Sequence, residues 1–398
     1  MVVTRGTTVS CSLLLVLIVF FATAPRAKQT EPLGLVPVRP VWTLALNNRI
    51  TRAPLYDAER AYFFIEGDRL VAYDIATGRQ QWLVDAHPVA DAAAANDLVY
   101  VGEAGGVIAR RVADGSVAWK IVLERSPAVP LVADGGWLLV ATAGGSLSAF
   151  RAADGRLVWQ HDAGAEIHAA PTLSGDRVYV PAVNGRVLAL DTKTGARLWE
   201  RRIGGSANDL VAAGERLYVG SADNFLYCLL RETGEIDWRW RTGADVRGLP
   251  LTDDRLVYFV SLDNVLRALN LVSGGQKWMR ALPLRPAWAP SIIDGTLVVA
   301  GQASTVRTYN AKDGTPATEI SAGGEVAAAP HLLRQPLTGL PMILIVTRDL
   351  VKGATASLHV RTIDPQPTPL GPLPNAVTPA PTLPVPPAVP AAISPGPR

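Results

Sequence analysis

From residue 38 to residue 364 the chain is a succession of short apolar runs cut by Gly, Asn, Asp or Pro. The runs are short and rich in Val, Leu and Tyr, as in Arg177–Val180 (RVYV), Arg216–Val219 (RLYV) and Val187–Asp191 (VLALD). Their length and β-rich make-up, and breakers every 8 to 12 residues, predict strands and exclude helical repeats. The runs come in sets of four. A small-residue segment near a proline (Pro54, Pro130, Pro171, Pro250, Pro290, Pro330) precedes a Val-Tyr-Val segment, a Leu-x-Ala-Leu-Asp segment and a segment centred on Trp.

The tryptophans set the period. Trp42, Trp82, Trp119, Trp159, Trp199, Trp238 and Trp278 stand 40, 37, 40, 40, 39 and 40 residues apart. Four residues before each of the last six is a glycine, from Gly78 to Gly274, suited to a positive-φ turn between strands. Gly314 continues the glycine series to Thr318, which replaces the expected Trp. Four-stranded units repeating at about 40 residues are the signature of a propeller, whose blades bury their faces against their neighbours. Units start near residues 52, 90, 128, 169, 208, 248, 288 and 328, which makes eight. The last has three strands and no Trp strand, whereas Trp42 precedes the first unit with no strands ahead of it. The expected fold is therefore all-β, an eight-bladed β-propeller of four-stranded antiparallel blades. The N-terminal strand, Val38–Leu46, supplies the outer strand of the last blade and closes the ring, removing an open sheet edge.

The ends differ from this body. Arg5 precedes an apolar run, Val9–Ala24, with the pattern of a secretory signal. Pro25 after Ala22-Thr23-Ala24 disfavours cleavage, so 1–24 reads as a signal peptide or as an N-terminal membrane anchor. Residues 25–37 are a linker and 38–364 the propeller. The segment 365–398 holds 13 prolines and no charge before Arg398, which predicts an extended, disordered spacer. Export to the periplasm or cell envelope follows from the leader, with membrane contact only through that segment and a monomeric ring. The 38 basic residues nearly balance 35 acidic ones, and no basic cluster appears in the sequence, so nucleic-acid binding has no footprint. Two cysteines, Cys11 and Cys228, exclude a disulfide scaffold and a tetra-thiolate zinc site.

Pro171–Trp199 follows the quinoprotein-type (PQQ-like) propeller repeat, of loose consensus Pro, Val-Tyr-Val-Gly, Leu-Tyr-Ala-Leu-Asp, Thr-Gly, Trp, and residues 38–364 as a whole resemble that family. The repeat is shared by pyrroloquinoline quinone dehydrogenases and by non-catalytic envelope proteins of the BamB type. The dehydrogenase resemblance implies adjacent cysteines over the quinone, a calcium held by Glu, Asn and Asp, and long inserted loops. None is recognisable here. Cys228 stands at the small position of a third strand, where Ala189 and Ala268 stand in other units, and reads as a core thiol. The five histidines show no metal-ligand spacing. No cofactor is expected.

Aligning the units on their prolines places Arg52, Ala90, Ala128, Ala169, Asn208, Gly248, Trp288 and Ala328 at equivalent inner positions, with His168 and Arg247 one residue earlier. Small residues suit a crowded axis. The exceptions, Arg52, His168, Asn208, Arg247 and Trp288, are the candidate binding residues at the channel mouth: an arginine pair for a carboxylate and an indole for a planar ring. The expected function is a non-catalytic binding or assembly scaffold of a bacterial envelope, resembling BamB-type outer-membrane assembly factors. Its expected partner is an envelope protein, in the first instance an outer-membrane barrel assembly protein. The alternatives are a quinoprotein dehydrogenase lacking its usual loops and a membrane-tethered sensor or ligand-binding propeller.

Overall fold

The computed structural model describes residues 34–349 and 353–361. The leader at 1–24, residues 25–33 of the linker and the proline-rich tail at 365–398 lie outside the described residues. Eight antiparallel sheets succeed one another along the chain, seven of them with four strands in sequence order from axis to rim. In the fourth blade these are Thr172–Ser174, Arg177–Pro181, Arg186–Asp191 and Arg197–Arg202. The eighth sheet joins the two ends of the propeller: Val38–Ala45 pairs with Gly353–Arg361, with Trp42 opposite Leu358 and Leu44 opposite Ala356. The expected closure is therefore what the protein forms. The innermost strand of this blade is split into Glu325–Val326 and His331–Arg334, both paired with Pro341–Asp349, where the sequence suggested one continuous strand.

The Val-Tyr-Val, Leu-x-Ala-Leu and Trp patterns mesh across each blade. In the fourth, Tyr179 is opposite Ala189 and Ala189 opposite Trp199. A small residue in the middle strand lets the two rings meet above it, with centroids 5.9 Å apart. The arrangement recurs with Tyr62–Trp82, Tyr100–Trp119, Tyr218–Trp238 and Tyr258–Trp278. In the fifth blade the small residue is Cys228, fully buried, and desolvation pushes its thiol up to about 12. A thiol held protonated in this way is an inert core group.

Each Trp then reaches forward into the next blade. The Trp199 indole donates to the Arg231 carbonyl at 3.0 Å and lies on Gly234, whose φ is +70°. A Cβ at Gly234 would stand 2.7 Å from Trp199 Cδ2, so the residue must lack one both for the turn and for the indole. The same pairing runs from Trp42 on Gly78 to Trp278 on Gly314, making seven seams. Burying about 200 Å² of indole at about 25 cal/mol per Å² bounds each at roughly 5 kcal/mol.

The eighth seam, between blades seven and eight, is built differently. Thr318 replaces the Trp, and its amide and carbonyl bond the Thr308 hydroxyl within its own blade, at 3.0 and 2.8 Å. The apolar filling comes instead from the segment before the closing strand. Leu35 is fully buried among Val298, Val306 and Ile320 of the seventh blade and Ile343 and Ile345 of the eighth, and its amide donates to Thr296 Oγ1 at 3.0 Å. Across the other side of blade eight, Tyr56 of the first blade stacks on His331, with centroids 4.0 Å apart and planes 10° apart. Burial lowers the His331 pKa to about 4 and raises that of Tyr56.

Trp199→Ala should lower stability by about 3–5 kcal/mol, because the blades cannot collapse into its cavity without distorting the ring. Gly234→Ala should cost at least the roughly 1–2 kcal/mol of a left-handed backbone and should also displace the Trp199 indole, visible as a shift in near-ultraviolet circular dichroism. Leu35→Ala should destabilise the closed ring by about 2–5 kcal/mol in urea unfolding although it lies outside every repeat. His331 is neutral when folded, so its contribution is complete above the ordinary histidine pKa of about 6.5 and is lost as pH falls towards about 4. The melting temperature should fall over that interval, less so in His331→Gln; equal pH profiles for the two proteins would contradict the assignment.

Candidate functional site

Strand alternation places the loops that leave each fourth strand, together with the turns between second and third strands, at one end of the ring. The other turns lie at the opposite end. Four of the channel residues from the sequence lie in loops of the first group and Asn208 at the start of the strand Ala207–Ala213 that follows one, but the structure gives them different tasks. Arg52 spans blades one and two, its Nη2 donating to the carbonyls of Pro88 and Val89 at 3.3 and 3.0 Å. His168 Nε2 meets Asn208 Oδ1 at 3.3 Å, and Asn208 Nδ2 donates to the Val246 carbonyl at 2.8 Å, linking blades four, five and six. These three tie neighbouring loops together.

Arg247 is the open member of the set. Its side chain is 66% exposed, with the Asp245 carboxylate at the long distance of 3.9 Å, leaving most of its donors to solvent. The adjoining Gly248, with φ +80°, lets the backbone of blade six approach Ala289 of blade seven; a Cβ there would stand 3.3 Å from Ala289 Cα. Trp288 precedes that contact. It is half buried and packs against the apolar cluster that holds Leu35, so one part of its ring is engaged in the seam between blades seven and eight. Arg52, on blade one, lies across the ring from Asn208 on blade five. The five residues are thus not one constellation: His168 and Asn208 form a pair, and Arg247 and Trp288 flank one loop contact.

Sequence reasoning did not single out the cluster at the turn of blade six. Arg267 and Asp263 form a close pair, Nη2 to Oδ2 2.6 Å, with Ser261 Oγ donating to Oδ1 at 2.5 Å and the Gly243 amide to Oδ2 at 2.9 Å. Burial opposes ionisation, but Arg267, Ser261 and Gly243 together hold the Asp263 pKa at about 2. With the Asp263 carboxylate held by Arg267, Ser261 and Gly243, this cluster braces the loop arriving from blade five. At the opposite end, a cleft of about 870 Å³ is lined by Asp57, Glu59, Arg60, Asn96, Asp97 and Arg111. Arg60 pairs with both Asp57 and Glu59 at 3.6 and 3.4 Å, so the charges there are largely balanced within the protein. Among the described residues no three His, Cys, Asp or Glu side chains converge to hold a metal ion.

Curated relatives include the outer membrane protein assembly factor BamB of Nitrosomonas eutropha, 25% identical over 178 residues, covering 42% of this chain and 44% of that protein. Another is the serine/threonine-protein kinase AfsK of Streptomyces coelicolor, 32% identical over 198 residues, 47% of this chain and 23% of the kinase. The chain thus spans less than half the length of these relatives. Among solved structures, BamB from Moraxella catarrhalis superposes with a TM-score of 0.65 at 20% identity, over 81% of this chain and 99% of that one. Quinohemoprotein alcohol dehydrogenase from Comamonas testosteroni gives 0.64 at 13% identity, over 83% and 78%. At these identities both superpositions speak for the propeller fold alone. The family described as outer membrane protein assembly factor BamB, with its PQQ-like repeat, matches residues 38–129, 125–213 and 203–330, which takes in the closing strand and the first seven blades. This chain therefore belongs to the BamB family of PQQ-like propellers.

Proposed function

We propose that this propeller is a non-catalytic binding and assembly scaffold of the bacterial cell envelope, contributing to outer-membrane protein assembly as the name of its family describes. The family match across 38–330 carries the reading. The chemistry of the ring supports it: Cys228 is buried with its thiol pushed up to about 12, and Arg52, His168 and Asn208 at the channel mouth tie blades to one another. The partner is an outer-membrane barrel assembly protein, and its contacts fall at the loop end that carries Arg52, His168, Asn208, Arg247 and Trp288. Arg247 contributes the accessible charge there, with Trp288 beside it.

Affinity purification of the full chain from detergent-solubilised envelope should recover a barrel assembly protein. Arg247→Ala should reduce recovery without changing the melting temperature, whereas Arg52→Ala should reduce both, since it also releases the link to blade two. Titration with pyrroloquinoline quinone and calcium should leave tryptophan fluorescence unchanged. A saturable, stoichiometric fluorescence change accompanied by alcohol-dependent dye reduction would replace this reading with the dehydrogenase one.

A further inference from the structure

The outermost strand of blade five, Ile236–Arg241, reads Ile-Asp-Trp-Arg-Trp-Arg. Strand alternation puts Trp238 and Trp240 on the face towards blade six and Arg239 and Arg241 on the face towards blade four, while the bulge between Ile236 and Trp238 turns Asp237 to the side of Arg216. Trp238 belongs to the seam series. Trp240 does not: it stands outside the forty-residue spacing, half buried against the cluster containing Tyr218 and Phe259. Asp237 is taken by Arg216 at 2.9 Å. Arg239 lies over the Phe225 ring, 4.9 Å from its centroid, and Arg241 is paired across the strands with the same Phe225. Next to them, on the outer strand of blade four, Arg201 bridges forward to the Gly234 carbonyl at 2.6 Å, and Arg202 is exposed.

Among the described residues Arg202, Arg239 and Arg241 form no ion pair with a carboxylate. The outer strands of the first three blades, Gln80–Asp85, Val117–Val122 and Leu157–Asp162, carry a single cation between them, Lys120. The fold therefore collects on one side of the rim a positive wall that the nearly balanced charge of the whole chain conceals, and it sets an indole beside it.

We propose that this wall, centred on Arg239, Trp240 and Arg241, docks on the phosphate-bearing headgroups of an anionic lipid surface. Guanidinium groups pair with phosphate in bidentate fashion, and an indole with an apolar body and a polar N–H suits the headgroup level of a bilayer. The arginines stand on exposed outer strands of adjacent blades, beside the exposed apolar side chains of Leu198 and Ile236. Such a wall meets many headgroups at once. The sequence alone confined membrane contact to the N-terminal segment; this surface adds a second contact on the propeller itself.

The test is flotation of the full chain with vesicles of phosphatidylglycerol in phosphatidylcholine and with vesicles of phosphatidylcholine alone. The apolar leader contributes to both, so the ratio of the two partition coefficients is the readout. The ratio should favour the anionic vesicles and fall at high salt. Arg239→Gln with Arg241→Gln should lower it by roughly 5-fold per arginine, with the melting temperature unchanged. Arg239→Lys with Arg241→Lys should keep most of the preference, and Lys120→Gln should leave it intact. Equal partition of the wild-type chain, or an unaltered ratio in the double Gln variant, would overturn the proposal, as would salt-sensitive binding to an acidic protein with no preference between vesicles.

Discussion

The packing of one indole on one residue without a Cβ, repeated around the ring, is the interaction on which this structure depends. Trp199 shows its three parts: the ring packs at a tilt against Tyr179 in its own blade, lies on Gly234 of the next, and donates its N–H to the Arg231 carbonyl there. A blade of four short strands is half exposed by itself and marginal. Joining each to its successor through a large apolar ring with a directed hydrogen bond fixes both spacing and rotation between blades. The forty-residue period of the sequence is the imprint of that requirement.

The constraint also explains the seam that departs from it. Between blades seven and eight no fourth-strand indole reaches forward onto a glycine, and the third and fourth strands of blade eight come from opposite ends of the propeller. A forward-reaching Trp would need a continuous turn between those two strands, with a glycine in it; the third strand, Gly353–Arg361, and the fourth, Val38–Ala45, are not consecutive in the chain. Leu35 lies close to that junction and fills the apolar space from the side. The two halves of the closure, the pairing of Val38–Ala45 and the insertion of Leu35, are consecutive in sequence, so the ring is closed by a single short segment.

Much of this was legible before any coordinates. Trp42, stranded ahead of the first unit, pointed to closure, and the positive-φ glycines, the buried Cys228 and the count of blades follow directly from spacing and alternation. Other features were not legible. The role of Leu35 has no repeat to signal it. The stack of Tyr56 on His331 arises only when blade one meets blade eight, 275 residues later in the chain. The tasks of the channel residues depend on hydrogen bonds across blades: position in the repeat marks Arg52, His168 and Asn208 as exceptional, but the loop carbonyls and amides they bond are set by the approach of neighbouring loops. Trp288 was expected to face the channel, and part of its ring serves the eighth seam instead. The basic rim was hidden for a related reason, since arginines about forty residues apart become neighbours only through the fold.

The most direct measurement of ring closure is native-state hydrogen exchange of Gly353–Arg361, compared between the full chain and a variant lacking residues 34–46. With the N-terminal strand in place, the amides of that strand that face Val38–Ala45 should be protected to the same degree as their counterparts in Arg186–Asp191, because both are third strands covered by a fourth. In the deletion variant their protection should disappear first, along with that of Pro341–Asp349, and the protein should self-associate through the exposed edge. Full protection of Gly353–Arg361 in a monomeric deletion variant would show that the ring does not rely on the N-terminal strand and would contradict this account.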